Sequence, residues 1–371
     1  MAKPPLLTQT AASLQALCAS CGLKKTGTKA ILVQRLRLAA KQFQPVPPTA
    51  RILSIDLGLK NFAFSLLTPA PPPHPPRPAI PPTPPLPAPI HLHAWHRLDL
   101  SQPAPSPPPS PSPSPSPSSP AAITNEQVED EYSPATLAAL ALALARTHLL
   151  PLRPTHVLIE RQRFRTGGGS AIFEWTIRVN TLEAMLHAVF AALRGGGWSS
   201  GAGAGDGDGE GWEGRVRSVL PRRVAGFLFP AGMQGGGGGL EGEELGKRGR
   251  GANAGYLELK RGKVDMLARW LAEGQMVVAK TAQAKEMGRL FVEGWEEKGR
   301  KAAGGRGKTK GKEKDAGDGK VDKRPGRKAA GEIGSKMDDL SDAVLQGMVW
   351  LQWQRTLETL IRERPELLEE D

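Results

Sequence analysis

Five acidic residues stand where carboxylates from separate parts of the chain could act together. They are Asp56, Glu160, Asp338, Asp339 and Asp342. The first two each end a short apolar run of strand length, whereas the three aspartates open a long apolar stretch. On a helix, Asp342 shares a face with Asp338 at spacing i, i+4 and with Asp339 at i, i+3. The spacing therefore favours Asp342 with one of the other two and does not choose between them.

Converging carboxylates are the ligands that a pair of divalent cations requires. Two such cations about 4 Å apart activate a water molecule and stabilise the leaving oxygen of a phosphodiester. Mg²⁺ prefers carboxylates, water and substrate phosphate, and Mn²⁺ accepts similar oxygen ligands. We therefore expect a Mg²⁺-dependent phosphodiesterase in which all five acids are candidate ligands and catalytic residues, with Asp56 bridging both cations. In the alternative interpretation, the late aspartates only cap a helix N-terminus.

These acids need a sheet that brings the ends of separate strands together. Apolar runs predict strands at 51–56, 62–67, 91–100, 155–160 and 216–220, with 223–229 as a continuation of the last. Helical patterns cover 134–150, 171–193, 257–273 and 338–364. This order predicts an α/β, RNase H-like fold over residues 51–365, with a mixed sheet flanked by helices.

Three segments of biased composition interrupt this domain. The segment 69–120 holds 23 of the 35 prolines, and 195–255 overlaps the Gly-rich part of the chain, with 22 of the 43 glycines. The third, 298–330, is rich in lysine and almost free of apolar residues. Such compositions cannot bury enough apolar surface to fold, so we predict long disordered insertions.

Charge and cysteine content limit the possible partners and compartments. The net charge is +12, and much of it lies in the Lys-rich insertion and in residues 1–45, which contain no acid. This distribution suits a protein that binds a polyanion around an acidic centre. Cys18 and Cys21 are the only cysteines and have no second pair of metal ligands near them, so we expect two half-buried helical residues in a reducing compartment. We identify no membrane-spanning run and expect no membrane partner.

Residues 1–45 predict a separate helix–loop–helix unit. Leu14, Leu17 and Cys21 form an apolar helix face, and Thr28 is a candidate N-cap for a second helix. The pattern L-x-x-L-x-x-x-C-G-L-x-x-x-G-x-K-x-x-L-x-x-R-L resembles the SAP motif, which implies a DNA-binding module. A helix N-terminus beside lysines offers amide and ammonium groups to a phosphate. The candidate DNA-binding residues of this SAP-like unit are Lys24, Lys25 and Lys29.

The whole set of motifs resembles a nuclease family. The segments I-D-x-G-x-x-N at Ile55 to Asn61, I-E-R-Q-R-x-R-T-G at Ile159 to Gly167 and K-M-D-D-L-S-D-A at Lys336 to Ala343 are similar to the fungal mitochondrial Holliday-junction resolvases of the RuvC class. The resemblance implies cleavage of four-way junction DNA by a homodimer in mitochondria, in DNA recombination and segregation. It also implies that the five acids occupy the metal-binding positions.

Basic residues next to the acids are further candidates for DNA contact. They are Arg161, Gln162, Arg163 and Arg165 after Glu160, and Lys260, Arg261 and Lys263 on a predicted helix. Arginine binds phosphate through two parallel hydrogen bonds, and glutamine can bond a backbone or a base. A solvated basic loop and a solvated helix face are the corresponding structural alternatives.

Three other functions fit parts of the pattern. An actin-like ATPase also begins with an Asp-x-Gly hairpin, but it requires a second such hairpin, which we do not find. An RNase H-like nuclease on RNA–DNA hybrids uses the same acids. A non-catalytic SAP-type DNA-binding scaffold would explain the basic segments but would not need the acids.

Overall fold

The computed structural model describes residues 8–71, 89–101, 132–162, 173–194, 212–230, 250–304 and 337–368. The helices are α1 (Ala11–Ser20), α2 (Lys29–Lys41), α3 (Pro134–Leu144), α4 (Glu174–Leu193), α5 (Pro221–Leu228), α6 (Arg250–Glu273), α7 (Ala282–Gly304) and α8 (Met337–Glu363). The strands are β1 (Ile52–Asp56), β2 (Phe62–Pro69), β3 (Ile90–Leu98), β4 (His156–Glu160), β5 (Arg215–Val219) and β6 (Val277–Ala279).

The strands form one mixed sheet in the order β5-β4-β1-β2-β3-β6. Strands β1, β4 and β5 are parallel, β2 is antiparallel to both β1 and β3, and β6 is parallel to β3. Because Ile55 pairs with Ile159 across two adjacent parallel strands, Asp56 and Glu160 follow side by side at the carboxyl end of both. The topology therefore delivers the first two acids to one place.

Helices cover both faces of the sheet, which confirms the predicted fold class. On one face, Ile52 and Leu158 pack against α8, with α6 and α7 beside it. On the other face, Ile55 and Ile159 pack beneath α3 and α4. Side chains alternate along a strand, so Asp56 shares the face of Ile52, which is the face that α8 covers.

The segment Pro134–Leu152, which includes α3, corrects one expectation. Its 19 residues are long and apolar enough to cross a membrane by length and composition, although we identified no such run in the sequence. Leu137, Ala141 and Leu144 are nevertheless buried against the sheet and α4. This side of the helix therefore lies in the protein core.

The SAP-like unit packs on the α/β domain. Thr28 caps α2 as predicted, accepting a hydrogen bond from the backbone N–H of Ile31 at 3.5 Å. Cys18 and Cys21 are buried free thiols in the core of the unit, and burial raises the pKa of Cys21 to about 12. That core continues into Leu357 and Leu360 near the end of α8. The SAP-like unit therefore packs against the C-terminal part of α8, the helix whose first turns carry the acids.

Several predicted boundaries were wrong. Residues 223–229 belong largely to helix α5, not to a strand, because Pro221 and the polar pattern after it favour a helix start. Strand β6 and helix α7 were not predicted, and α7 extends to residue 304 inside the segment assigned to an insertion. Strands β3 and β5 likewise lie within the outer limits drawn for the first two insertions. Helix α5 and the start of α6 also lie within the second insertion as drawn. Within the three insertions, residues 72–88, 102–120, 195–211, 231–249 and 305–330 lie outside the described residues.

Candidate active site

The carboxyl ends of β1 and β4 meet the start of α8. Asp56 is only 9% exposed, and its carboxyl group is hydrogen-bonded to that of Glu160. Asp339 and Asp342 of α8 lie close enough to Asp56 to raise its pKa. The structure thus brings together the acids that the sequence left on three separate elements.

Side-chain hydrogen bonds between α8 and the sheet hold this end of the helix. Gln346 is buried one turn after Asp342, and its Nε2 donates to Ser54 Oγ and to the carbonyl of Ile55, both at 3.2 Å. Ser65 Oγ donates to the carbonyl of Ala343 at 2.9 Å, and Trp95 Nε1 donates to that of Leu340 at 3.0 Å. These contacts fix the position of α8 relative to the strand that carries Asp56.

None of these positioning residues was identified from the sequence. A lone glutamine in an otherwise apolar part of α8 was the available signal for Gln346, because a buried amide needs partners. Gly347 adds to the close approach, since a Cβ at this position would collide with Leu67. The Leu67 side chain of β2 therefore packs directly against the backbone of α8 at Gly347.

Helix α6 supplies two lysines to the acid cluster. Lys263 Nζ contacts Asp342 Oδ1 at 2.5 Å, and Lys260 pairs with Asp338. The Lys263 side chain is only 15% exposed. Burial opposes its charge, but Asp342, Asp56 and Glu160 raise the pKa of Lys263 above its ordinary value. Both lysines were predicted to bind DNA as a stripe with Arg261; here they face carboxylates, whereas Arg261 is exposed.

The cluster carries unbalanced negative charge. Burial, followed by the charge of Glu160 and its hydrogen bond, raises the pKa of Asp56 well above its ordinary range. Burial also raises the pKa of Asp342, although Lys263 opposes the shift. Burial and the neighbouring Asp338 raise the pKa of Asp339 to about 7. Asp338 differs: burial opposes its ionisation, but its hydrogen bond from Lys260 leaves its pKa lowered.

This charge predicts a pH-dependent stability of the protein in EDTA. The unfolded chain ionises Asp339 near pH 3.8, whereas the folded protein resists ionisation until about pH 7. The contribution of Asp339 to the free energy of unfolding is therefore fully present at low pH, and it is lost as the pH rises between these two values. Asp339→Asn should gain stability relative to the wild type between about pH 4 and pH 7, measured by urea unfolding.

Asp265→Asn is the matched control for that measurement. Asp265 lies on α6 and accepts a hydrogen bond from Trp295 Nε1 at 2.7 Å, which an asparagine oxygen can also accept. This variant shows what an Asp→Asn change outside the cluster does to the measurement. A stability difference for Asp339→Asn that does not change with pH would contradict the unbalanced charge described above.

The donor set fits divalent cations. Asp56, Glu160, Asp338, Asp339 and Asp342 offer the carboxylate oxygens that Mg²⁺ prefers, and their mutual repulsion is what bound cations would relieve. Among the described residues, however, no three such side chains are spaced as a preformed metal site. Lys260 and Lys263 contact Asp338 and Asp342 in this arrangement, so cation binding would require these side chains to shift.

The other candidate DNA contacts are distributed around this centre. Arg161 follows Glu160 directly and is exposed. Gln162 is half-buried and forms hydrogen bonds with other residues of the protein. Its Nε2 donates to the carbonyl of Leu57 at 3.3 Å, and its backbone N–H donates to Glu183 at 2.8 Å. Gln162 thus ties β4 to the β1–β2 turn and to α4. Arg163 and Arg165 lie outside the described residues.

The remaining candidates lie on the SAP-like unit and at the start of α4. Lys24, Lys25 and Lys29 are exposed, as phosphate contacts require. Trp175 is 41% exposed, and its ring contacts that of Tyr132. The first turn of α4 therefore presents aromatic surface instead of burying it.

Comparison with known proteins identifies relatives along most of the chain. Residues 52–360 match the family "Mitochondrial resolvase Ydc2 / RNA splicing MRS1", and residues 8–39 match the SAP domain. A relative in Schizosaccharomyces pombe, "Cruciform cutting endonuclease 1, mitochondrial", is 28% identical over 179 residues, which are 48% of this chain and 54% of the relative. The matched region thus spans about half the length of that relative.

A solved structure shares the fold. The crystal structure titled "Yeast Mitochondrial Holliday Junction Resolvase, Ydc2" superimposes with a TM-score of 0.50 over 97% of this chain and 99% of the other, at 20% identity. The family match covers the sheet, both helical layers and all five acids. The chain therefore belongs to the mitochondrial resolvase Ydc2 / RNA splicing MRS1 family and carries an N-terminal SAP domain.

Proposed function

We propose that this protein is a structure-selective endonuclease that cleaves four-way DNA junctions in mitochondrial DNA recombination and segregation. The observation that carries the proposal is the meeting of Asp56, Glu160 and the acids of α8 at one end of the sheet. The family, and relatives named as a mitochondrial cruciform-cutting endonuclease and a Holliday junction resolvase, support it. Mitochondrial localisation is proposed on the same names.

The mechanism assigns a role to each element of the site. Asp56, Glu160, Asp342 and one or both of Asp338 and Asp339 would hold Mg²⁺, for which Mn²⁺ can substitute. Bound cations supply an activated water and a counter-charge for the leaving 3′ oxygen. Gln346 keeps α8 and β1 in register so that the carboxylates face one point. Lys260 and Lys263 place positive charge where a phosphate would enter.

Symmetric cleavage of a junction needs two active sites. A four-way junction has a two-fold axis, and paired cuts across it need two sites related by the same symmetry. We therefore propose a homodimer, with one site on each protomer. Sedimentation of the protein with and without junction DNA measures this directly.

The family description also names an RNA splicing protein, so a non-catalytic nucleic-acid binder is the alternative to a nuclease. Such a binder would not require buried carboxylates that repel one another. Asp56, Asp339 and Asp342 each cost stability when ionised without a cation. A catalytic metal site would need these acids in spite of that cost, so the observed cluster favours the nuclease.

A single gel assay separates the candidate functions. The substrates are a synthetic four-way junction, a linear DNA duplex and an RNA–DNA hybrid, each with Mg²⁺ or with EDTA. We expect paired cuts near the branch point of the junction, in Mg²⁺ only. Preferred cleavage of the hybrid would indicate an RNase H-type enzyme, and binding without cleavage would indicate a scaffold.

The SAP-like unit should contribute salt-dependent affinity. Replacing Lys24, Lys25 and Lys29 together by Gln removes three exposed cations without disturbing the apolar seat on α8. Junction binding in EDTA should weaken, and the slope of log K against log salt should become shallower by up to about 3, at roughly 0.9 per phosphate contact. Fluorescence anisotropy at several salt concentrations measures both quantities.

A triple Lys→Gln change on the opposite edge of the sheet controls for net charge. Lys280, Lys285 and Lys298 are exposed at β6 and α7, and replacing them changes the charge equally. We expect this control to keep a steeper slope than the SAP variant. Equal slopes for the two variants would mean that the SAP lysines act only through net charge.

A further inference from the structure

An arginine-bearing strand borders the sheet next to the acids. β5 is the edge strand beside β4, with Arg215 paired to His156, Arg217 to Leu158 and Val219 to Glu160. Partners in adjacent strands point to the same face, and Leu158 and Val219 both pack in the α8 layer. Arg215 and Arg217 therefore lie on the same face of the sheet as Glu160.

The spacing of these arginines relates them to the acid end. At about 3.3 Å per residue, Arg217 and Arg215 lie roughly 7 and 13 Å before Val219 along the strand. Allowing for the distance between strands, the Cα atoms of Arg217 and Glu160 are about 8 Å apart. One strand of B-DNA advances 3.4 Å per nucleotide, so the two positions are about two and four nucleotides from the acids.

A cleft of about 220 Å³ separates β5 from the SAP-like unit. Arg215, Arg217 and Arg223 line it, together with Gly22 and Leu23 of the unit, and no acidic residue of the described chain does so. Lys24 and Lys25 follow Leu23 directly. The wall formed by β5 and α5 is thus cationic, and on the opposite side the SAP lysines come next in the chain after a residue that lines the cleft.

The walls of the cleft are fixed relative to each other. Arg223 donates to the carbonyl of Gly22 at 2.9 Å, and Gly22 has a φ of +70° with Trp353 packed where a Cβ would lie. Only glycine fits this combination of backbone conformation and contact. The SAP-like unit therefore cannot swing freely away from β5, and the basic surface is preformed.

The charge of Arg215 and Arg217 is available to a ligand. Both side chains are exposed, and neither pairs with a carboxylate within the described residues. Burial, and then the charges of Arg215 and Arg217, lower the pKa of the adjacent His156 to about 4. The alternative role of charged side chains on an edge strand is to prevent edge-to-edge aggregation, which would not involve phosphate binding.

We infer that the cleft between the SAP-like unit and β5 binds the phosphate backbone of one duplex arm through Arg215 and Arg217. The arm then leaves the acids along β5 and passes the SAP lysines. The inference rests on the proposed function for the identity of the DNA, and it adds a binding site outside the acid cluster. Guanidinium groups suit this role because they bind phosphate through two parallel hydrogen bonds.

The test is the salt dependence of binding of the double variant Arg215→Gln/Arg217→Gln. Binding to a synthetic four-way junction in EDTA, followed by anisotropy from 50 to 300 mM salt, should weaken about tenfold at the low end (~0.05 M). The slope of log K against log salt should become shallower by about 2, one unit for each lost contact. A linear duplex should lose affinity by a similar factor, since an arm is itself duplex.

Two further variants make the outcome decisive. Arg215→Lys/Arg217→Lys keeps the charge and should keep the wild-type slope. Arg146→Gln/Arg289→Gln removes two exposed arginines from the opposite face and the opposite edge, and it should bind with the wild-type slope. If the Gln double variant has a slope equal to that of this control, the inference is wrong and the arginines only protect an edge.

Folding and function can be separated in the same experiment. If the double variant unfolds at a lower temperature, Arg217→Gln alone takes its place, with a slope change of about 1. Wild-type cleavage of the junction in Mg²⁺ is scored independently. If the slope of the variant becomes shallower but the wild type does not cleave the junction, the phosphate-binding cleft is supported and the nuclease function is rejected. If the wild type cleaves the junction but the slope of the variant is unchanged, the nuclease function is supported and the cleft is rejected.

Discussion

Asp56→Asn should reduce junction cleavage by about three orders of magnitude or more while leaving junction binding intact. Asp56 is the most central of the acids, since Glu160 bonds to it and both Asp339 and Asp342 act on its charge. Asparagine keeps the shape of the side chain but removes the charge that would bind cations. Single-turnover cleavage of a labelled junction in Mg²⁺ measures the rate, and anisotropy in EDTA measures binding.

Asp265→Asn serves as the control here as well, because it makes the same chemical change on α6 outside the cluster. It should cleave at close to the wild-type rate. Glu160→Gln and Asp342→Asn should be as severe as Asp56→Asn, together with at least one of Asp338→Asn and Asp339→Asn. Wild-type rates in Asp56→Asn would disprove the assignment of the active site.

Gln346→Met should reduce the rate of cleavage by about a hundredfold with little change in junction affinity. Methionine fills nearly the same volume but cannot donate to Ser54 and Ile55, so α8 loses a link to β1 next to Asp56. A misplacement of about 1 Å can cost a hundredfold in rate. The buried oxygens left without a donor should also lower the free energy of unfolding by roughly 1–3 kcal/mol.

Gln352→Met provides the comparison on the same helix. Gln352 is half-buried, and its Nε2 donates to Thr356 within α8 instead of to the sheet. Its loss should leave the rate near that of the wild type. At saturating junction DNA, Gln346→Met should cleave more slowly than Gln352→Met. If Gln346→Met lowered the stability but not the rate, the Gln346 amide would support folding without positioning the acids.

The chain order of the motifs predicted most of the site. A strand that ends in Asp56, a strand that ends in Glu160 and a late helix that opens with aspartates are local patterns, because alternation and helical spacing are written in neighbouring residues. Adjacent parallel strands then had to place Asp56 beside Glu160. The same locality explains why the Thr28 cap could be predicted and why the short β6, with only three residues, could not.

Long-range packing decided the rest, because it joins residues that no sequence spacing connects. The contacts of Lys260 and Lys263 with α8 bridge almost 80 positions, and those of Gln346 with β1 bridge nearly 300. The seat of the SAP-like unit on Leu357 and Leu360 likewise depends on where α8 ends in space. The sequence by itself determined which acids the protein carries and the strands that present them. The tertiary structure determined their counter-charges, the residues that hold them in register, and the basic cleft beside them, since these depend on which distant surfaces bury each other.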